Sequence, residues 1–575
     1  MKKLGRCLRV SAFAVVAFWM QGFCAAQEGS EPSLVLFNAN IYTVNPAQPR
    51  AEAVLTSNGR ITFVGSTEEA LKRAPANATR VDLRGKTVFP GLTDAHAHLA
   101  GIGVRELDFD LQGTPSLADL KNRVRARAQQ TKPGDWLVGR GWIESRWTPA
   151  AFPTRQDLDE VVADRAVVLT RADGHALVAN TLALKRAGID RSTKDPAGGS
   201  ILREKNGEPT GMLIDEAMEL VRKLIPPRTE EDVSKALETG AARSIRMGWT
   251  QLHNAGNSWS EVDLMCRLYR ADRMKLRVYN AIGGPGADAD RLLNEGASVN
   301  RCGDRLTVRA IKLYVDGALG SRGAALLKPY SDAPETTGLL VNAPESLFPI
   351  MTKALKQGIQ IETHAIGDRG NRIVLDLYQR AFDSVPAKER AVEQPRWRVE
   401  HAQVVDPADI PRFAKLGVIA SMQPSHAIGD LFFAPKRLGD DRLSGAYAWQ
   451  AMLNAGATVV AGSDAPVEVG DPRIEFYAAV ARRSLEGFAE SNWHPEQRVS
   501  REQALKMLTL APAYAAFQER ERGSIEVGKQ ADFSVFSTDL MTVSEPEILK
   551  SEVAMTVIAG RIEYTAPESH TSRSE

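Results

Sequence analysis

The chain has 575 residues, 43% of them hydrophobic and 25% charged, with Lys and Arg numbering 72 against 71 for Asp and Glu. These values suit a folded, water-soluble body and exclude disordered, collagen-like and polytopic membrane classes. A net charge of +1 with no long basic stripe argues against nucleic acid as a partner, and the length calls for several domains or one large barrel with appendages.

In chain order, Lys2, Lys3, Arg6 and Arg9 form a basic head, residues 10–20 an apolar run and Cys24-Ala25-Ala26 a small-residue exit. That order is the pattern of a secretory signal peptide cleaved after Ala26, and it predicts an exported protein, periplasmic or secreted. The apolar run is far short of the roughly 20 residues that a membrane span requires. Lipidation at Cys24 is the minor alternative, since Gln21, Gly22 and Phe23 make a poor approach to a lipid-carrying cysteine. Cleavage removes four basic residues and no acidic ones, leaving 68 against 71. It also leaves only Cys266 and Cys302, enough for one disulfide at most and too few for a zinc–thiolate cluster. Any metal must then sit on nitrogen and oxygen.

Strand-like runs follow at 34–37, 53–56, 61–64 and 87–89, with Asn58-Gly59 as a type I′ hairpin signal. The far end repeats the pattern at 532–536 and 553–558, where Ala559-Gly560 turns the chain into 561–564. Isolated hairpins of this size are marginal in water. The two half-sheets are therefore expected to share one composite β-sandwich, built from 27–89 and 515–566, with a polar tail at 567–575. Between them, eight short β-rich runs at 92–96, 250–253, 276–281, 308–315, 359–364, 397–401, 418–422 and 458–461 alternate with helix-like stretches. This predicts an α/β fold, a (β/α)8 TIM-type barrel over residues 90–514. The interval between the first two runs is too long for one crossover and predicts an insertion at 107–235, with its own strand at 166–170. Ser500 and Gln503 form a capping-box pair, and Ala504, Leu505, Leu508 and Leu510 continue at helical spacing up to Pro512.

The sharpest chemical feature is Asp94-Ala95-His96-Ala97-His98, which ends the first barrel run. Strand alternation points His96 and His98 together toward the barrel mouth and turns Ala95 and Ala97 toward the helices. Two convergent imidazoles make a metal clamp, although satisfied histidine pairs are common. The fourth run adds Lys312, facing inward between apolar Ile311 and Leu313, where an unpaired ammonium would be costly. A carbamate on Lys312 would become an anion able to bridge two metals; pairing of the amine with Asp316 is the alternative. His364 and His401 end the fifth and sixth runs, and Gly462-Ser463-Asp464 delivers a carboxylate through a small-residue neck after the eighth. Asp464 is the candidate general base.

Pro90-Gly91-Leu92-Thr93-Asp94-Ala95-His96-Ala97-His98, the Lys312 segment, His364, His401 and Gly462-Ser463-Asp464 resemble the metal signature of the amidohydrolase superfamily. More narrowly, His364-Ala365-Ile366-Gly367-Asp368-Arg369, Ser421-Met422-Gln423-Pro424 and Pro495-Glu496-Gln497-Arg498 resemble amidohydrolase family 3, the branch that includes N-substituted formamide deformylases. The resemblance covers residues 34–564 and includes Gly528-Lys529-Gln530-Ala531-Asp532. It implies a barrel with a composite sandwich and two divalent metal ions, usually zinc. His96, His98 and Asp464 would bind one ion and His364 and His401 the other, with carboxylated Lys312 bridging them. A hydroxide between the metals would attack the carbonyl of a small-molecule amide, while Asp464 moves the proton to the leaving nitrogen. Leu252-His253-Asn254 departs from the His-Asp of many relatives, which bears on the groups that hold the ligands.

Four further residues are candidates for contacting substrate. His175, in Arg171-Ala172-Asp173-Gly174-His175, would cap the site unless it is structural; His253 ends the second run; Arg322 would hold an anionic group unless it is a loop arginine in water; and His426 follows the seventh run. Trp136, Trp142 and Trp147 are read as packing within the insertion, and His494 and His570 as solvent-exposed. A one-metal deaminase or an esterase or lactonase on the same scaffold is the runner-up, and a non-catalytic binding protein the third reading. A homo-oligomer is left open.

Overall fold

The computed structural model describes residues 33–107, 109–489 and 493–567. The expected signal peptide at 1–26, the tail beyond residue 567 and His570 lie outside the described residues. Eight parallel strands of the central sheet form the barrel: Leu92–Ala97, Trp249–Asn257, Arg277–Gly283, Leu306–Tyr314, Gln360–Ala365, Arg398–His401, Ile419–Met422 and Val459–Ala461. Each pairs in parallel with the next. The ladder does not run from the eighth strand to the first. Instead the chain just past the eighth strand closes the seam, with Asp464 N donating to His96 O at 2.7 Å and His98 N to Ala465 O at 2.8 Å.

Both faces of this sheet are covered, so its strands carry apolar residues on both sides. Ile311, Leu313 and Val315 join the large core shared with the surrounding helices, while Ala310 packs inside the barrel with Tyr279, Ala281 and Ala516. The capping box at Ser500 and Gln503 starts helix Arg501–Met507. The helix does not continue through Leu510 as the periodicity predicts. Thr509 leaves the helical conformation, and a second helix, Leu510–Ala515, closes the barrel floor, where Ala515 packs on Ala95, Ile419 and Val460.

Ala95 thus faces inward, against expectation. Asp94 lies opposite Leu252 and Ala97 opposite Asn254, so three steps on the first strand match two on the second. Such a bulge costs one alternation, and Ala95 and His96 both turn toward the interior.

The chain leaves the barrel after helix Leu99–Leu107 and returns along helix Glu230–Arg246. These helices approach so closely that a Cβ on Gly103 would lie 1.7 Å from Ala236 O. Between them the insertion builds a six-stranded sheet that includes Leu137–Trp142 and Val167–Arg171. Trp142 and Trp147 pack in its core, and Trp136 lies half-buried at its edge.

The termini build two further sheets. Phe533–Phe536 pairs antiparallel with Thr87–Pro90, which joins the C-terminal strands to the N-terminal ones. Leu36, Val54 and Ile61 from one end share a core with Phe533, Val535 and Val557 from the other. Asn58 (φ 52°) with Gly59 (φ 73°), and Ala559 (φ 52°) with Gly560 (φ 72°), take the left-handed conformations that a type I′ hairpin needs. Arg277 of the third barrel strand forms a bidentate pair with Asp532, at 2.8 and 3.2 Å, and so ties the sandwich to the barrel base. Cys266 and Cys302 are joined as a disulfide. Among the described residues no helix is long and apolar enough to cross a membrane.

Candidate metal centre and active site

Strand ends at the barrel mouth bring His96, His98, Lys312, His364, His401 and Asp464 together. Ring centroids lie 5.0 Å apart for His96 and His401, 4.5 Å for His364 and His401, and 5.5 Å for His96 and His98. Lys312 Nζ is 3.3 Å from His96 Nε2, and Asp464 Oδ1 is 3.1 Å from His98 Nε2 and 3.7 Å from His96 Nε2. All except His98 are buried. Asp316 does not pair with Lys312, because its carboxylate accepts the N–H groups of Ala325, Ile366 and Gly367 at 2.8–3.0 Å.

The donor set fits a divalent metal. His98 Nδ1 faces Ala255 O at 3.0 Å, His401 Nδ1 faces Gln423 Oε1 at 2.8 Å, and His96 Nδ1 is held by Glu400 Oε2. With Nδ1 donating outward, each ring turns its Nε2 lone pair inward, the tautomer a metal needs. Ligand atoms of His96, His401 and Asp464 lie within 4.8 Å of one another, and Asp464 Oδ1 is a buried acceptor without a hydrogen-bond donor.

The electrostatics agree. Burial above all holds His364 and His401 well below the usual imidazole value, so both rings are neutral. Burial would raise Asp464, but the imidazoles around it, His98 first and then His96 and His401, outweigh burial and keep this carboxyl well below the ordinary range. Asp464 is therefore an anion at neutral pH. Its neighbour on the seam, Asp94, is pushed up to about 7 by burial and binds Ser463 through N at 2.8 Å and Oγ at 2.5 Å. The neck itself depends on Gly462, where a Cβ would lie 2.4 Å from His96 N.

Two of the four proposed substrate contacts reach the mouth. His175 lies with its ring centroid 5.1 Å from that of His364, and its Nδ1 is 2.6 Å from Asp215 Oδ1. His426 stacks on His401 at 5.9 Å and places Nε2 3.6 Å from Asp464 Oδ2. The other two do not. His253 sits deep in the barrel, 2% exposed, against Arg398 NH1 at 2.9 Å and Tyr279, because the second strand continues four residues beyond it to Asn257. Arg322 turns away from the metal site and forms a bidentate pair with Asp332 at 3.2 and 3.0 Å. His494 is partly exposed and pairs with Glu496.

Sequence reasoning missed Glu400, which orients His96, and Asp215, which orients His175. Glu400 could have been found: alternation along Arg398–His401 points Arg398 and Glu400 into the barrel. His401 follows them inward only because it takes a left-handed backbone, φ 73°, which breaks the alternation.

The cavity above these residues holds about 660 Å³. A barrel whose mouth gathers four imidazoles, a lysine and a carboxylate in this way belongs to the class of metal-dependent hydrolases. The chain matches the amidohydrolase family over residues 79–564 and is a member of it, in family 3. It is 34% identical to the Bacillus subtilis protein YtcJ, over 91% of this chain and 98% of that one. It is 29% identical to an N-substituted formamide deformylase of Arthrobacter pascens, over 92% and 98%. Its structure matches that of an uncharacterised metal-dependent hydrolase of Pyrococcus horikoshii with a TM-score of 0.72, at 28% identity, over 89% and 99%.

Proposed function

We propose that this amidohydrolase cleaves a carbon–nitrogen bond, a non-peptide amide, in a small molecule. The observation that carries the reading is the set of outward-tethered imidazoles converging on an ionised, buried Asp464. His96, His98 and Asp464 would hold one divalent ion, zinc in our reading, and His364 and His401 a second, with Lys312 as a bridging carbamate. A metal bound there supplies Lewis-acid polarisation of the carbonyl and lowers the pKa of water.

The protein's own residues do the rest. Asp464 takes the proton of the attacking water at its carboxylate and returns it to the nitrogen as the C–N bond breaks, so that water and amide give a carboxylic acid and an amine. His426 Nε2, buried and without a partner, faces the same space and can donate to the carbonyl oxygen as charge develops there. Asp215 fixes the ring of His175 at the cavity wall. The 29% identity to the deformylase supports the amide reading. The Cys266–Cys302 disulfide and the signal-like residues 1–26 support an exported, oxidising location.

Elemental analysis of the protein purified without chelator tests this, together with a panel of amides and esters. Two equivalents of metal, and amide turnover lost in a folded Asp464→Asn variant, are the expected outcome. One equivalent would favour a one-metal hydrolase or deaminase, a reading supported by the compact His96, His401 and Asp464 trio. No metal after reconstitution with zinc and bicarbonate would reject the ligand assignment.

A further inference from the structure

Helix Pro424–Asp430 turns three residues toward the cavity, His426, Gly429 and Asp430, at the i, i+3 and i+4 spacing of one helix face. Asp430 lines the cavity, and its Oδ2 is committed, accepting from Tyr447 Oη at 2.6 Å and Gln403 Nε2 at 2.9 Å. Beside it stands Glu468, from the loop after the eighth strand. Its Oε1 lies against Gly429, where an added Cβ would be only 3.2 Å away, and among the described residues its carboxylate has no ion pair or hydrogen bond.

Two neighbouring carboxylates in a cavity would ordinarily be neutralised by a cation from the protein. Here the candidates are engaged elsewhere or stay at the rim. Arg171 is spent on Glu144 and Asp173; Arg105 donates to the carbonyls of Glu468 and Val469 from behind the loop; and Arg146, exposed at the rim, stacks on Phe432 at 4.6 Å. Burial accordingly pushes Asp430 up to about 6 and Glu468 up to about 7. Such groups await a positive partner. His426, only 7% exposed and on the same helix face as Asp430, points its unpartnered Nε2 into the same cavity, toward Asp464.

We propose that Glu468 and Asp430 form a specificity subsite for a cationic nitrogen, so that the preferred substrate carries an ammonium or amidinium group on the part of the molecule remote from the scissile amide. The inference rests on the amide reading above and deepens it. Reaction would place the acyl carbon by Asp464 and His426 and the distant cation between the two acids, with Gly429 leaving room for Glu468.

The test uses N-formyl alkanediamines with two to six methylenes, each matched with the neutral N-formyl alkylamine and the anionic N-formyl amino acid of the same length. At the best length, the cationic member should have a kcat/KM roughly 10- to 100-fold above its neutral partner, as for a hydrogen bond to a charged group. Glu468→Gln and Asp430→Asn should each collapse that ratio toward one. Equal rates at every length, preference for the anion, or a ratio unchanged in both variants would overturn the proposal. If no amide is turned over at all, calorimetric titration with the free alkanediamines decides separately. Binding that weakens about tenfold in Glu468→Gln sustains the subsite while the amide reading falls, and absent binding, or binding indifferent to Glu468→Gln, overturns the subsite itself.

Discussion

Replacing Gly462 by Ala perturbs the seam that closes the barrel. The new Cβ would sit 2.4 Å from His96 N and 3.0 Å from Asp94 Oδ1. Ordinary non-bonded contact needs about 3.5 Å, so the eighth strand must move from the first by roughly 1 Å. The contacts that stretch are those of the site: Asp464 N to His96 O at 2.7 Å, Ser463 N to Asp94 at 2.8 Å, and Asp464 Oδ1 to His98 at 3.1 Å. Overpacking of this kind costs about 1–3 kcal/mol, and a displacement of about 1 Å in a reacting group costs on the order of 100-fold in rate. The assay is kcat/KM on the best amide found, alongside thermal unfolding and metal content. Gly417→Ala is the control. It strains a left-handed helix cap, φ 65°, with open space around it, and should lower stability by about 1 kcal/mol without touching turnover. A Gly462→Ala protein with wild-type kcat/KM would refute the argument that the seam positions Asp464.

Three other outcomes follow from the same coordinates. Glu400→Gln, which loosens the grip on His96 Nδ1, should lower metal affinity about 10- to 100-fold in competition with a chelator; unchanged affinity would mean that Glu400 does not orient the ligand. Asp532→Asn breaks a buried pair and should cost about 3–5 kcal/mol in denaturant unfolding. Burial opposes ionisation of Asp532, but Arg277 and Arg522 outweigh it and hold the folded carboxyl below its unfolded value near about 4. The pair's stabilisation is therefore complete above that unfolded value and is lost as pH falls through the lower folded one, so the variant should show a flatter acid limb. Replacing Cys266 and Cys302 by Ser reopens a loop of 36 residues and should lower stability by up to about 4 kcal/mol by the chain-entropy argument; unfolding unaffected by the change would show that the disulfide contributes nothing.

Much of the barrel was legible because its signals are local. Each β-rich run, the turns at Asn58-Gly59 and Ala559-Gly560 and the capping box at Ser500 announce themselves within a few residues, and the structure places a strand at every one of the eight runs. The gathering of the six candidate residues was legible for a related reason, since they sit at or near strand ends, where barrel geometry brings side chains together.

What the sequence could not determine depends on partners that only the fold selects or on a single backbone angle. A bulge opposite the second strand turned Ala95 inward, and the left-handed φ of His401 brought it beside Glu400. His253 lies below the mouth because the second strand runs past it, and Arg322 was claimed by Asp332. The approach of Glu468 to helix Pro424–Asp430 required a loop packed on a helix and a glycine-sized gap. Sequence patterns report which way a chain tends to run and which face it buries; only the folded chain decides which charged groups meet, because that is settled by how separate segments pack.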